Sequence, residues 1–442
     1  MKTENEELLS FIEASPTAWH TVENLSAILR DAGYSEVSES EEWKLEEGGR
    51  YFVTRNGSSL AAFRITGKEP ESYMITASHG DSPSFRIKGD AAFRSGGGLY
   101  FSLNTERYGG MICASWMDRP LTVAGRVAIR TGSGIRMKNV YIDRDLLLIP
   151  SLAIHMDRSA NDGKKYEANV DMIPLLSVSG EDCYRSLLAE AAGAGPEEIL
   201  SAEMILVPRT PGTIWGAERE FLSSPRLDDL QCVYGCMRGF LAAEAPARTI
   251  PVFCVFDNEE VGSGTVQGAD STFLEDTLGR ISESMGKNLS GHRALLASSF
   301  LVSADNAHAV HPNHPEFADR IDRPVLNGGV VIKQNAAKKY TTDGYSAAVF
   351  ETICRKAGVP VQQYSNRADL PGGSTLGHIS TAHVSVDSVD IGLAQLAMHS
   401  CYETAGAADT EHLVRAITAF YGTVLRKRRD GIELITPADG KA

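Results

Sequence analysis

Ile250-Pro-Val-Phe-Cys-Val-Phe256 runs directly into Asp257-Asn-Glu-Glu-Val-Gly262. An apolar run that stops at a carboxylate-rich turn reads as a buried strand whose C-terminal end carries chemistry. Two adjacent carboxylates in that position repel unless a cation or a proton separates them. One of the two, Glu259 or Glu260, can then bind metal while the other accepts a proton from the bound water. Gly262 and Gly264 let the backbone bend closely around such a pair. The plain alternative is a solvated acidic loop, the ordinary place for charged pairs.

The same pattern recurs on either side. Tyr73-Met-Ile-Thr-Ala stops before Ser78-His79-Gly-Asp81-Ser-Pro83, and Phe300-Leu-Val-Ser stops before Ala304-Asp305-Asn306. Pro225-Arg-Leu-Asp228-Asp229 opens a helical stretch, and Ala397-Met-His399-Ser400 lies near the C-terminus. Each piece alone has an ordinary reading. His79 could sit in a polar loop, Asp228 or Asp229 could cap a helix, and His399 could be structural. Taken together they supply what a two-metal hydrolase needs. Asp81 stands where it can orient His79, and the two oxygens of Asp228 can bridge two cations. Mixed nitrogen and oxygen ligands suit zinc, and cobalt or manganese fits the same set. His308, His311 and His314 have a spacing that suggests another metal site, but Pro312 interrupts it and a polar loop explains it equally.

Strand patterns alternate with helical ones along much of the chain. Residues 6–29 are helical in period, and Pro16 divides them in two. Tyr51-Phe-Val-Thr-Arg55 and Leu60-Ala-Ala-Phe-Arg-Ile65 read as a hairpin around Asn56-Gly57. From about residue 89 to 223 the texture changes to short β-like runs such as Leu121-Thr-Val-Ala-Gly-Arg-Val-Ala-Ile-Arg130, broken by Gly96-Gly-Gly98 and Gly132-Ser-Gly134. Helix and strand patterns resume with 229–245, Val330-Val-Ile-Lys333, Val359-Pro-Val-Gln-Gln-Tyr364, Val384-Ser-Val-Asp387 and an amphipathic helix over 411–427. The expected fold is α/β, a doubly wound and mostly parallel sheet with an inserted β-rich domain. Its catalytic part is 1–90 with 224–442, and the insertion is 91–223. In such sheets ligands sit beyond the carboxyl ends of the strands.

Composition narrows the function classes. The chain has 442 residues with 43 Lys and Arg against 57 Asp and Glu, a formal net charge of −14. A surface that acidic argues against nucleic acid and anionic membranes as partners. No apolar run reaches the roughly 18 residues of a membrane span. Met1-Lys-Thr-Glu-Asn-Glu-Glu7 lacks the pattern of a secretion signal. Scattered Cys residues without a CxxC pair read as reduced thiols, so the cytoplasm is the expected location. Ser95-Gly-Gly-Gly98 has no following Lys and is not a phosphate loop.

These motifs make the chain similar to the aspartyl aminopeptidase family of dizinc metallopeptidases over nearly its whole length. The resemblance rests on Ser78–Pro83, Ser224–Asp229, Asp257–Ser263, Ser303–Pro312 and Gln395–Ser400. It implies His79 and Asp305 on one metal, Glu260 and His399 on the other, Asp228 between them, Glu259 as general base and Asp81 in support of His79. It also implies a dimerising insertion, matched by Tyr108-Gly-Gly110, Trp116-Met-Asp-Arg119 and Ile149-Pro-Ser-Leu-Ala-Ile-His155, within a tetrahedral dodecamer of identical subunits. His155 would reach a neighbouring subunit's active site. The substrates implied are peptides, trimmed from the N-terminus. Lys333 matches a pocket-lining segment and could pair with an acidic side chain, giving preference for N-terminal Asp or Glu, with neutral residues as the alternative. The chain departs from the family pattern at Gly80, Asp229 and Gly373-Ser-Thr-Leu-Gly-His378. A deacylase or carboxypeptidase on the same scaffold, and a metal-bound scaffold protein without activity, are the rival readings.

Overall fold

Parallel strands Thr249–Phe256, Ser72–His79, Phe300–Ala304 and Asp387–Leu396 lie side by side in one sheet. The first three run straight into Asp257, the Ser78–Asp81 segment and Asp305, and the fourth precedes His399 by a short turn. A computed structural model describes residues 2–180 and 183–436. Every residue of Ser72–His79 and of Thr249–Phe256 is buried, as expected of strands covered on both faces.

The cover comes from two helical layers. Leu230, Val233 and Phe240 of helix Leu227–Ala242 and Leu413, Ile417 and Phe420 of helix Asp409–Tyr421 pack with Phe253 and Val255. Phe273, Leu278 and Ile281 of helix Phe273–Ser284 pack with Val252, Cys254 and Phe256 on the other face. The alternation along Thr249–Phe256 follows the two-residue period of a strand. Each fully buried side chain of this kind contributes roughly 1.5–3 kcal/mol. The wound α/β sheet expected from the sequence is therefore present.

A second sheet has six strands paired only antiparallel, in the order Gly134–Tyr141, Leu121–Thr131, Ile199–Pro208, Ser84–Ser95, Tyr100–Tyr108 and Leu175–Ser177. It has its own core around Phe85, Leu103, Val123 and Leu206. Strand Ser84–Ser95 starts just after Asp81, and strand Tyr100–Tyr108 returns the chain to the same end of the large sheet. After Pro208 the chain rejoins the large sheet through Thr213–Trp215 and Phe221–Ser224, the latter beside Glu403–Gly406.

Local details agree with the sequence in some places and correct it in others. Pro16 separates helices Glu4–Glu13 and Ala18–Asp31. The hairpin Arg50–Arg55 to Ser59–Arg64 turns at Asn56 and Gly57, both with positive φ (54° and 65°). The last helix ends at Tyr421 rather than running to 427, and Val424–Arg428 pairs with Gly431–Ile435 as a hairpin. Gly422 stops the helix, and the β-branched pair Thr423-Val424 follows it. Val384 lies at the end of helix Leu376–His383, and its strand starts only at Asp387. All seven Cys are free thiols. Among the described residues no helix is long and apolar enough to cross a membrane.

Candidate metal centre

The strand ends bring most of the expected residues together. His79, Asp228, Asp229 and Asp305 form one group of ligand atoms within 4.8 Å of one another; His79, Glu259 and Glu260 form a second, and Asp228, Glu260 and His399 a third. Asp228 stands between the two imidazoles. Its Oδ1 is 3.5 Å from His79 Nε2, and its Oδ2 is 3.3 Å from His399 Nε2. Asp305 Oδ1 lies 3.9 Å from His79 Nε2, and Glu260 Oε2 lies 3.5 Å from His399 Nε2.

The other ring nitrogen of each His is held in place. His79 Nδ1 faces the backbone oxygen of Asp81 at 3.1 Å, and His399 Nδ1 faces the backbone oxygen of Gly110 at 2.8 Å. This leaves both Nε2 atoms pointing into the cluster, the arrangement that fixes imidazoles for metal. Asp81 does more than support His79. Its carboxylate accepts the backbone N–H groups of Glu259 (3.1 Å) and Glu260 (3.2 Å) and the Tyr108 hydroxyl (2.7 Å). One side chain thus ties the acidic pair to the strand end that carries His79.

The electrostatics call for a cation. Burial, and repulsion from Asp305, Asp81 and Asp228, push the Glu259 carboxyl up to about 8. Burial and Asp228 push Glu260 well above the usual carboxylate range. His399 is raised to about 10, because hydrogen bonding to Asp228 and the charge of Glu260 outweigh burial. Asp228 is lowered, because contacts with His399 and His79 overcome burial. Asp228 Oδ1 and Glu260 Oε1 are buried acceptors with no hydrogen-bond donor. Leaving such oxygens unmatched is costly, and a divalent cation among them removes the cost. The residues present therefore fit a metal of the oxygen and nitrogen class.

Two further expected site residues stand outside the ligand groups. His155 sits exposed on a turn and is not among the gathered side chains. Lys333 is buried, 2% exposed, in the wall of the pocket that also holds Glu259, His399, His308 and Tyr340. Its ammonium donates to the backbone oxygens of Asp305 (2.8 Å) and Asn306 (3.3 Å) and lies 3.4 Å from Asp305 Oδ2. His308 lines that same pocket, whereas His311 and His314 are exposed in the following loop.

Several residues that organise the centre were not expected in that role from the sequence. Glu403 accepts the backbone N–H of Asp228 (2.9 Å) and of His399 (2.7 Å). Burial and repulsion from Asp228 raise its carboxyl to about 8. Asp229 Oδ2 accepts the backbone N–H of His79 at 3.2 Å. Tyr108 and Gly110 reach the site from the end of the small sheet. For Glu403, only its place four residues after His399 could have drawn attention to it.

A wound α/β sheet with imidazoles and carboxylates gathered at its strand ends is the frame of a metal-dependent hydrolase. Comparisons with known proteins make this specific. The family model for aminopeptidase I zinc metalloproteases (M18) matches residues 11–421. The chain is 42% identical to a probable M18 family aminopeptidase 2 of Clostridium acetobutylicum, over 95% of this chain and 100% of that one. It is 36% identical to an aspartyl aminopeptidase of Dictyostelium discoideum, over 94% and 95%. A cryo-EM structure of the Ape4 and Nbr1 complex contains a chain that superposes with a TM-score of 0.91 at 36% identity, covering 95% of this chain and 85% of that one. A yeast (S. cerevisiae) mApe1 dodecamer superposes with a TM-score of 0.81 at 26% identity, covering 94% and 95%. The chain belongs to the M18 family of zinc aminopeptidases, and its active centre is that of a zinc-dependent hydrolase.

Proposed function

We propose that this aminopeptidase holds two zinc ions per subunit, one at His79 and Asp305 and one at Glu260 and His399, with Asp228 shared. The observation that supports this best is the Asp228 carboxylate, which turns one oxygen toward each imidazole. Cobalt and manganese fit the same donors. When bound, such ions make water a stronger acid and polarise the scissile carbonyl.

Glu259 is the general base. It takes a proton from the attacking water as the new C–O bond forms, and delivers it to the amine nitrogen as the C–N bond breaks. Asp81 keeps Glu259 in position by accepting its backbone N–H.

The preferred N-terminal residue is Asp or Glu. Lys333 is the buried cation of the pocket beside Glu259 and His399, and a substrate carboxylate would share it with Asp305. The β-rich insertion, expected over 91–223 but with its small sheet spanning 84–208, serves as a dimerisation domain, and the subunits assemble as in the yeast dodecamer. That assembly gives the exposed His155 its role, at a neighbouring subunit's active site. The free thiols and acidic surface suit a reducing compartment, the cytoplasm.

The test joins metal analysis to a substrate panel. The expected result is two zinc ions per chain and faster release of N-terminal Asp or Glu than Leu or Met. Glu259→Gln should keep both ions while kcat falls about 10³-fold. Normal turnover in that variant overturns the base assignment. Preference for N-acylated or C-terminal substrates would favour a deacylase or a carboxypeptidase.

A further inference from the structure

A cavity of about 130 Å³ lies between the start of helix Ala18–Asp31, the segment leading into Asp228, and the small sheet. It shares only Asp228 with the pocket that holds Glu259 and Lys333. Its lining contains an unusual set of unused donors. Arg226 donates through Nη2 to the Ile12 carbonyl at 3.0 Å, but its Nε and Nη1 are buried without any acceptor. Trp19 Nε1 and Trp116 Nε1 are likewise buried and unmatched. Guanidinium and indole groups can only donate, and buried donors left unmatched are expensive.

The carboxylates that line the cavity are engaged elsewhere, Asp257 with the Asn258 N–H at 2.7 Å and Asp228 with the imidazoles of His79 and His399. Glu403 accepts the N–H groups of Asp228 and His399, and Glu203 pairs with Arg126 at 2.6 Å. Asp81 accepts from Tyr108, Glu259 and Glu260. The aromatic donors are held rigidly. The Arg126 guanidinium stacks over Trp19 at 4.8 Å, and Trp116 meets Phe85 edge-on at 5.4 Å. The remaining walls include Met204, Leu206 and Pro208. The space exceeds that of a bare halide or a single water, whose share of liquid volume is about 30 Å³.

We propose that this cavity is a binding site for a short aliphatic monocarboxylate, with its carboxylate at Arg226, Trp19 and Trp116 and its chain against the apolar wall. It is distinct from the pocket that holds Glu259 and Lys333, and the two meet at Asp228.

The test uses full-length, zinc-loaded enzyme and sodium butyrate, with n-butanol and sodium bromide as the uncharged and bare-anion arms. Crystals grown in butyrate should show it in the cavity with its carboxylate on Arg226. By calorimetry, Trp19→Phe and Trp116→Phe should each weaken butyrate about tenfold, the loss of one hydrogen bond to a charged group. Zinc content should stay unchanged in both, and Arg226→Gln should abolish binding. Both Trp variants keep the ring, so they stay informative if Arg226→Gln does not fold. The proposal is overturned if butyrate appears only at the metal centre, or if both Trp variants bind it as the wild type does. It is also overturned if n-butanol binds as tightly, or if bromide alone occupies the cavity.

Discussion

The Glu403 carboxylate holds the backbone of Asp228 with one oxygen and the backbone of His399 with the other, at 2.9 and 2.7 Å. It is buried and touches neither Nε2 of the cluster, so its effect on the centre passes through the two residues it holds. Glu403→Ala removes both contacts. Zinc affinity should fall about 10- to 100-fold, the usual cost of losing a group that orients ligands. Competition with a chromogenic chelator measures it, and an affinity equal to the wild type would refute the positioning role.

Gly392 lies in strand Asp387–Leu396 against the loop that carries Asp305. A Cβ there would come within 2.0 Å of the Asp305 backbone oxygen. Gly392→Ala must therefore shift the backbone that carries Asp305 and disturb its approach to His79. Overpacking of this kind costs about 1–3 kcal/mol, which a protein of this size can survive. Bound zinc should drop toward one ion per chain in the folded variant, read by metal analysis after gel filtration.

Removing the metal should change how stability depends on pH. In the metal-free protein Glu259 is raised from 4.5 to about 8 and His399 from 6.5 to about 10. Both folded values lie above the unfolded ones, so bound protons stabilise the fold below the unfolded values, and that contribution is lost as pH rises through the folded ones. Chelated enzyme should melt several degrees lower near pH 9 than near pH 6. The zinc-loaded form should lose much less over that range in scanning calorimetry. Parallel curves would contradict the picture.

His20 gives the opposite sign, away from the centre. Burial, assisted by Arg226, lowers it from 6.5 to about 4. Its folded value lies below the unfolded one, so stability is lost as pH falls from 6.5 toward 4. His20→Gln should remove about 2 kcal/mol of that acid loss. Urea unfolding of both proteins at several pH values measures the difference.

The strand-end ligands were legible because each follows an unbroken apolar run, a purely local signal. His79, Asp305, Glu259 and Glu260 could be picked out in this way. Glu403, Tyr108 and Gly110 could not, because they act through backbone groups that only the tertiary fold brings near. The helical pattern over 411–427 outruns the helix because Val424 and Leu425 continue its apolar spacing, although Gly422 ends it. Lys333 reads as a pocket-lining cation, but only the fold reveals that its ammonium already has the oxygens of Asp305 and Asn306 as partners.

The carbonyl of Gly110 steadies the His399 ring from a loop that belongs to the small sheet's own excursion. Cutting out 84–208 and sealing the gap would not produce a miniature enzyme. It would free that imidazole to spin, and any shortened version would have to supply a substitute oxygen from elsewhere.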